Sequence, residues 1–293
     1  MKRAPVFFRI LTLALILPLG AAIGSAGCSG SIGPTKPAQL TPATSSSSMS
    51  QSATSPIAPA LRDIYGKAFF IGAAIPASVL ASDSKKAILE KNFNSFTCEN
   101  EMKPQSLLGS IATMGADGMP VLDFTTADRF CAYALLKGFR MRGHTLVWHS
   151  QTPSWFFREG FQPGGKEVAA DEMLTRMEWY IRSVLGHFQT AYPGLIYAWD
   201  VVNEAAADSG GVWRTESPWY RIIGQDFVTK AFEYARKYVD SGVALFYNDY
   251  NLHIVRKADA VAQIVEPAAM AGTIDGIGMQ GHEQLSDFLS AAV

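Results

Sequence analysis

Beyond position 60, short apolar runs alternate with longer stretches in which apolar residues recur every three or four positions. The runs 69–74, 94–97, 139–148, 196–202, 244–248 and 274–279 have the length and composition of buried strands. Between them, 85–91, 126–137, 171–192, 219–239 and 254–270 carry apolar faces at the helical period. Strands alternating with helices in this way predict an α/β protein, a parallel sheet with helical crossovers. A doubly wound open sheet would have the same pattern, but no Gly-rich phosphate loop follows the first run. The polar residues decide for a barrel, because every predicted strand ends in side chains able to face one shared mouth.

The front of the chain breaks this pattern. Lys2 and Arg3 precede an apolar stretch over 10–23, interrupted by Pro18 and Gly20 and followed by the small residues Gly24-Ser25-Ala26-Gly27-Cys28. This is the form of an export signal over 1–28, too short and wrongly flanked for a spanning helix. Cys28 behind Ala26-Gly27 resembles the lipid-acceptor cysteine of bacterial lipoproteins, with Ser25 where such signals carry Leu. Plain cleavage after Ala26 is the other reading, and both stay open. The expected location is therefore outside the cytoplasm: periplasmic, cell-surface or secreted. Residues 29–60 are mostly Ser, Thr, Ala, Pro and Gln with Lys36 as their one charge, too poor in large apolar side chains to offset ordering entropy; they read as a linker. The catalytic-type domain is expected over 61–293.

At 293 residues, with 48% hydrophobic content and a formal charge of -1, the chain can bury a sizeable core and has no electrostatic bias toward nucleic acid. Cys98 and Cys131 are expected to be buried and free, although export permits a bridge. His144 and His149 lack a third ligand pattern and sit in one predicted strand, so no metal site is assigned. Nothing resembles a calcium loop.

The predicted strand ends carry the chemistry. They read Cys98-Glu99-Asn100-Glu101-Met102-Lys103, then Arg142-Gly143-His144 through Trp148-His149-Ser150-Gln151, then Trp199-Asp200-Val201-Val202-Asn203-Glu204, Asn248-Asp249-Tyr250-Asn251, and Gly278-Met279-Gln280-Gly281-His282. Taken in order, these resemble the family 10 glycoside hydrolases, endo-1,4-beta-xylanases built on a (beta/alpha)8 TIM barrel, of which about six of eight units are present here. The resemblance runs from about Phe69 to His282.

Cleaving a glycosidic bond at neutral pH needs one carboxylic acid to protonate the leaving oxygen and a second carboxylate to attack or activate water. The resemblance implies Glu204 as general acid/base of a retaining double displacement, with Asn203 on the 2-hydroxyl of the sugar under attack. It implies Glu99, Asn100 and Lys103 on the next glycone sugar, His144 on the central sugar, and Trp148 and Gln151 lining the same wall. Tyr250 is expected on the leaving-group side, and Gln280 and His282 on the central sugar and the nucleophile. Glu101 is read as one half of a structural ion pair, His149 as a satisfied core residue, and Trp155, Trp213 and Trp219 as anchors. The partner implied is xylan or a xylo-oligosaccharide, no cofactor is required, and a monomer is expected.

The sequence departs from the family after His282. The nucleophile belongs at the end of a seventh strand, in a Thr-Glu-Leu-Asp-like motif, and residues 283–293 read instead as the start of a helix. The expectation is a truncated piece of a longer exported xylanase, with the nucleophile missing and no turnover of its own. A non-catalytic xylan-binding lipoprotein and a related barrel beta-glucanase are the alternatives.

Overall fold

The computed structural model describes residues 58–282 together with the backbone of Leu13–Ala14. Apart from Leu13–Ala14, the predicted export signal with Cys28, nearly all of the linker, and the helix start expected after His282 lie outside the described residues.

The strands are β1 (Leu13–Ala14), β2 (Gly72–Ile75), β3 (Ser95–Cys98), β4 (Arg140–Trp148), β5 (Ile196–Asn203), β6 (Ala244–Tyr250) and β7 (Gly276–Gln280). They form one sheet in the order β1-β7-β6-β5-β4-β3-β2, with every pair parallel. From β2 to β7 each strand lies beside its predecessor, and the order never reverses. A doubly wound sheet must reverse at its switch point; a (β/α)-barrel winds one way throughout. The succession is six consecutive barrel strands, in agreement with the sequence reading, and β1 is a two-residue addition beside β7.

Burial explains why these segments are strands. Residues of β4 and β5 are buried on both faces, as in a parallel sheet covered by helices on one side and barrel interior on the other. The crossover helices lay down their apolar stripes over this sheet. In α6 (Ala170–Ala191; helices are numbered here in chain order, and α1 to α5 are given below) the buried positions Met173, Met177, Tyr180, Ile181, Val184, Leu185 and Phe188 follow the helical period. In α8 (Phe227–Tyr238) they are Phe227, Val228, Ala231, Phe232 and Ala235.

Two departures from the sequence reading have local causes. The helix expected over 219–239 is two, α7 (Pro218–Ile223) and α8, because Gly224 takes φ 86°, a left-handed value that stops the first helix. Short helices α1 (Leu61–Tyr65), α2 (Ala77–Leu80) and α4 (Pro104–Leu108) were not expected; at four or five residues they are too short to display a period. The remaining helices, α3 (Asp83–Asn92), α5 (Thr125–Lys137) and α9 (Val255–Met270), fall where the apolar period placed them.

Cys98 and Cys131 are buried and free, in one apolar core with Phe96, Phe130 and Met141. Burial raises both thiols, that of Cys131 to about 12. Trp155 and Trp219 are core residues, 2% and 1% exposed, as anchors should be, whereas Trp213 is half-buried and packs on Tyr220 and Phe227.

Gly143 of β4 lies against the face of Trp199 from β5, and a Cβ there would stand 2.3 Å from the indole. Two strands and one large ring would have to move to admit a methyl group. Gly143→Ala is expected to destabilise the chain by about 1–3 kcal/mol, read as a lower urea midpoint, whereas Gly186→Ala, in open space within α6, should not lower it.

Candidate active site

The parallel ladder brings the C-terminal ends of the central strands level. Trp148 pairs with Asn203, Asn203 with Asn248, Asn248 with Gly278, and Tyr250 with Gln280. Residues far apart in sequence therefore meet at one rim.

Glu204, one residue past β5, adopts φ 57°, a sparsely populated conformation for a side chain of this size. Its backbone N–H donates to the Asn248 carbonyl at 2.9 Å and its own carbonyl accepts from Arg214 Nε at 3.1 Å. The half-buried carboxylate accepts from Trp148 Nε1 at 2.8 Å through one oxygen and from Gln280 Nε2 at 3.1 Å through the other. Beside it, the Asn203 amide oxygen accepts from Asn248 Nδ2 and Gln280 Nε2, both at 2.9 Å. Strands β4, β5, β6 and β7 thus converge on two side chains.

A second group sits on the β3 side. Lys103 is 9% exposed and donates to Gln151 Oε1 at 2.8 Å and Asn100 Oδ1 at 3.2 Å, with its ammonium 5.0 Å from the Trp148 ring centre. Gln151 Nε2 also donates to Asn100 Oδ1. Burial lowers the Lys103 ammonium, against the opposing pull of Glu99, Glu204 and Glu101. Glu99 is exposed at the rim. Trp148 joins this group to the Glu204 group, since it touches both.

His144 is held from below. Its Nδ1 donates to Asp200 Oδ2 at 2.9 Å, and Asp200 also receives Arg142 Nε at 3.1 Å. Asp200 is 3% exposed and Arg142 7%. Burial by itself would raise the Asp200 carboxyl, but the Arg142 guanidinium and the His144 hydrogen bond hold it below its ordinary value.

Some expectations need correction. Glu101 has no ion pair among the described contacts; its carboxylate accepts the backbone N–H groups of Ala77 and Asn100, because the loop it closes has donors and no nearby cation to spare. His149 is not a satisfied core histidine: its Nδ1 is buried without a partner, and burial together with Arg214 pushes the imidazole down and keeps it neutral. Tyr250 stands at the rim, but its hydroxyl is engaged by Arg214 and Asp208 and the Lys257 ammonium lies 4.5 Å from its ring centre. His282 is exposed and its Nε2 meets Gln280 Oε1 at 3.2 Å.

Sequence reasoning missed Asp200, Arg142, Asn248 as a partner of Asn203, and Arg214. Asp200 and Arg142 stand inside apolar strands, and a charge in such a run is itself a signal, because burial there requires a partner. Arg214 lies in the 205–217 loop and had no pattern to betray it. Against that loop lies an open pocket of about 410 Å³, lined by Asp208, Trp213, Arg214 and Tyr220 among others.

Asp200→Asn leaves the Arg142 charge buried without its counter-ion and is expected to cost about 3–5 kcal/mol in urea unfolding at pH 7. The Asp200 carboxyl is depressed in the folded chain, so its contribution is complete above the ordinary carboxylate range and disappears as pH falls through the folded value. The gap between wild type and variant should therefore close in acid, and a gap independent of pH would contradict the pairing.

The chain is similar to known proteins over most of the described residues. The model of "Glycosyl hydrolase family 10" matches residues 60–292. Over 228 residues the chain is 42% identical to endo-1,4-beta-xylanase A of Thermotoga neapolitana, covering 78% of this chain and 20% of the relative. It is 43% identical over 227 residues to endo-1,4-beta-xylanase B of Butyrivibrio fibrisolvens, covering 76% and 35%. The chain thus spans only a fifth to a third of these curated relatives. Among solved structures, the CBM22-1 and GH10 modules of a Clostridium thermocellum xylanase with xylohexaose superpose with a TM-score of 0.71 at 37% identity, covering 76% of this chain and 46% of that one. The intracellular xylanase TsXylA of Thermoanaerobacterium saccharolyticum, as a mutant with xylotetraose, gives 0.69 at 37% identity, covering 81% and 72%. With a family match across the whole described barrel and strand ends that meet as the family's order of motifs implies, this chain belongs to glycosyl hydrolase family 10.

Proposed function

We propose that this chain carries the acid/base side and the glycone wall of an endo-1,4-beta-xylanase, which hydrolyses internal xylosidic bonds of xylan with retention. The observation that carries the reading is Glu204, raised at the end of β5 in a left-handed conformation and contacted through its two oxygens by Trp148 and Gln280. A carboxyl group so placed can protonate a leaving oxygen and afterwards take a proton from water, which is what the two steps of a retaining mechanism ask of one residue. Asn203 has its amide oxygen occupied by two donors, leaving the Nδ2 hydrogens for a sugar 2-hydroxyl. Lys103, Asn100 and Gln151 supply donors and acceptors for the next sugar on the glycone side, and the names of the solved relatives, with xylohexaose and xylotetraose, support a xylan-type ligand.

A retaining pair needs a second carboxylate about 5–5.5 Å from the first. Among the described residues no other carboxylate shares Trp148 or Gln280, the two side chains that hold the Glu204 carboxylate, and the nucleophile is proposed to come from a strand beyond β7. The reading extends to export, with the mature protein either lipid-anchored at Cys28 or released by cleavage after Ala26, and to a monomer.

The protein encoded by the complete reading frame should cleave xylohexaose in preference to cellohexaose, with the β-anomer appearing first by proton NMR. Glu204→Ala should lower that turnover by about 10²–10⁴-fold, with azide restoring cleavage of an activated aryl xylobioside. Initial release of the α-anomer, or preference for the glucan, would overturn the assignment. Mass spectrometry of the mature N-terminus distinguishes a diacylglyceryl Cys28 from a chain beginning at Gly27.

A further inference from the structure

Behind the strand end, the backbone of residues 204–206 is tied down by groups that never approach the mouth. The N–H groups of Ala205 and Ala206 both donate to the hydroxyl oxygen of Tyr247 in β6, at 2.9 and 3.0 Å. That hydroxyl donates in turn to Asp249 Oδ2 at 2.6 Å. Lys257, in the first turn of α9, donates to the Ala206 carbonyl at 2.9 Å and lies 3.2 Å from Asp249 Oδ1 and 3.3 Å from Asp208 Oδ1. Tyr247 and Asp249 are fully buried and Lys257 is 2% exposed.

Such a group is a poor choice for stability alone. Removing two charges and a phenol from water is expensive, and apolar side chains of equal volume would pack at least as well. What apolar side chains cannot do is receive two successive N–H groups and satisfy a carbonyl. Burial and the charge of Asp249 push the Tyr247 hydroxyl far up, so it stays protonated and keeps both roles, acceptor for the amides and donor to Asp249. Three of these contacts, from Tyr247 to the Ala205 and Ala206 N–H groups and from Lys257 to the Ala206 carbonyl, end on the peptide units that follow Glu204, whose φ of 57° is the strained point of the strand end.

We propose that Tyr247, Asp249 and Lys257 form a positioning network that holds the peptide units behind Glu204 and thereby sets where its carboxyl group stands. All three are buried behind the strand end. The inference rests on the assignment of Glu204 as acid/base, yet its geometry can be read without turnover, because Trp148 Nε1 donates to Glu204 Oε2 and its indole N–H resonance reports the carboxylate.

The test uses the chain labelled with 15N-tryptophan and the variant Tyr247→Phe, which keeps the ring and removes the acceptor. The Trp148 indole resonance should move while those of Trp179 and Trp199 stay in place. In the protein of the complete reading frame, kcat/KM on an aryl xylobioside with a poor leaving group should fall by about 10–100-fold, while kcat/KM for a good leaving group, whose departure needs little acid help, stays nearly unaffected. The paired variant Asp249→Asn with Lys257→Met removes both charges together, leaves no buried ion unpaired and should move Trp148 in the same way. A Trp148 resonance at its wild-type place in folded Tyr247→Phe overturns the proposal, as does an equal displacement of all the indoles, which would mark general support of the fold. If wild type turns over no xylan, the functional reading fails by itself, and the indole resonance still decides whether the network positions Glu204.

Discussion

The buried carboxylate of Asp200 ties together more of this barrel than any other single group. It stands in β5, takes the guanidinium of Arg142 from β4, and takes the ring of His144 two residues further along the same strand. Arg142 in turn lies over the Phe246 ring of β6, and its Nη2 approaches the place where a Cβ on Gly278 of β7 would be. Strands β4 and β5 are thereby joined by charge as well as by the backbone ladder, and the Arg142 guanidinium adds a cation–ring contact to β6. An ion pair in that position favours one register above all others, because sliding β4 by one residue would bury Arg142 without its counter-ion.

On this frame the rim is assembled in two halves joined by Trp148. Toward β3 the indole lies beside the Lys103, Asn100 and Gln151 group; toward β5 it donates to Glu204. The burial of Lys103 matters here, since a desolvated ammonium bound to two amide oxygens is a directional donor and no longer a freely moving charge. Glu204 is held from the front by Trp148 and Gln280 and from behind by the Asn248 carbonyl of β6, which accepts its backbone N–H, and by Arg214 of the 205–217 loop, which donates to its carbonyl. Rigid placement of this kind is what acid/base chemistry requires, because the proton must pass between atoms whose separation cannot vary much.

Much of this was legible before any coordinates. The barrel followed from the alternation of apolar runs and helical stretches, and six predicted strands match β2 to β7 with boundaries shifted by a few residues. The polar endings singled out Asn203, Glu204, Lys103, Gln151 and Gln280, and these do converge. Short helices and the break at Gly224 escaped because a local conformational change of one residue leaves no period behind. The role of Glu101 was misread because a charge in a sequence suggests a counter-charge, whereas in the folded loop two backbone amides serve instead. His149 was misread because adjacency to an apolar strand says where a ring is buried and nothing about what stands opposite its nitrogen.

By itself the sequence determined the class of fold, the order of the strands and the candidate carboxylic acid, since these follow from apolar periodicity and from polar residues placed where strands stop. Only the tertiary structure decided which groups touch Glu204, that Asp200 joins Arg142 to His144, and that Tyr247, Asp249 and Lys257 bind the turn behind the acid. The reason is physical. Periodicity is a property of neighbours along the chain, while each of these contacts joins residues that only the register of parallel strands and the packing of a crossover helix bring within hydrogen-bond reach.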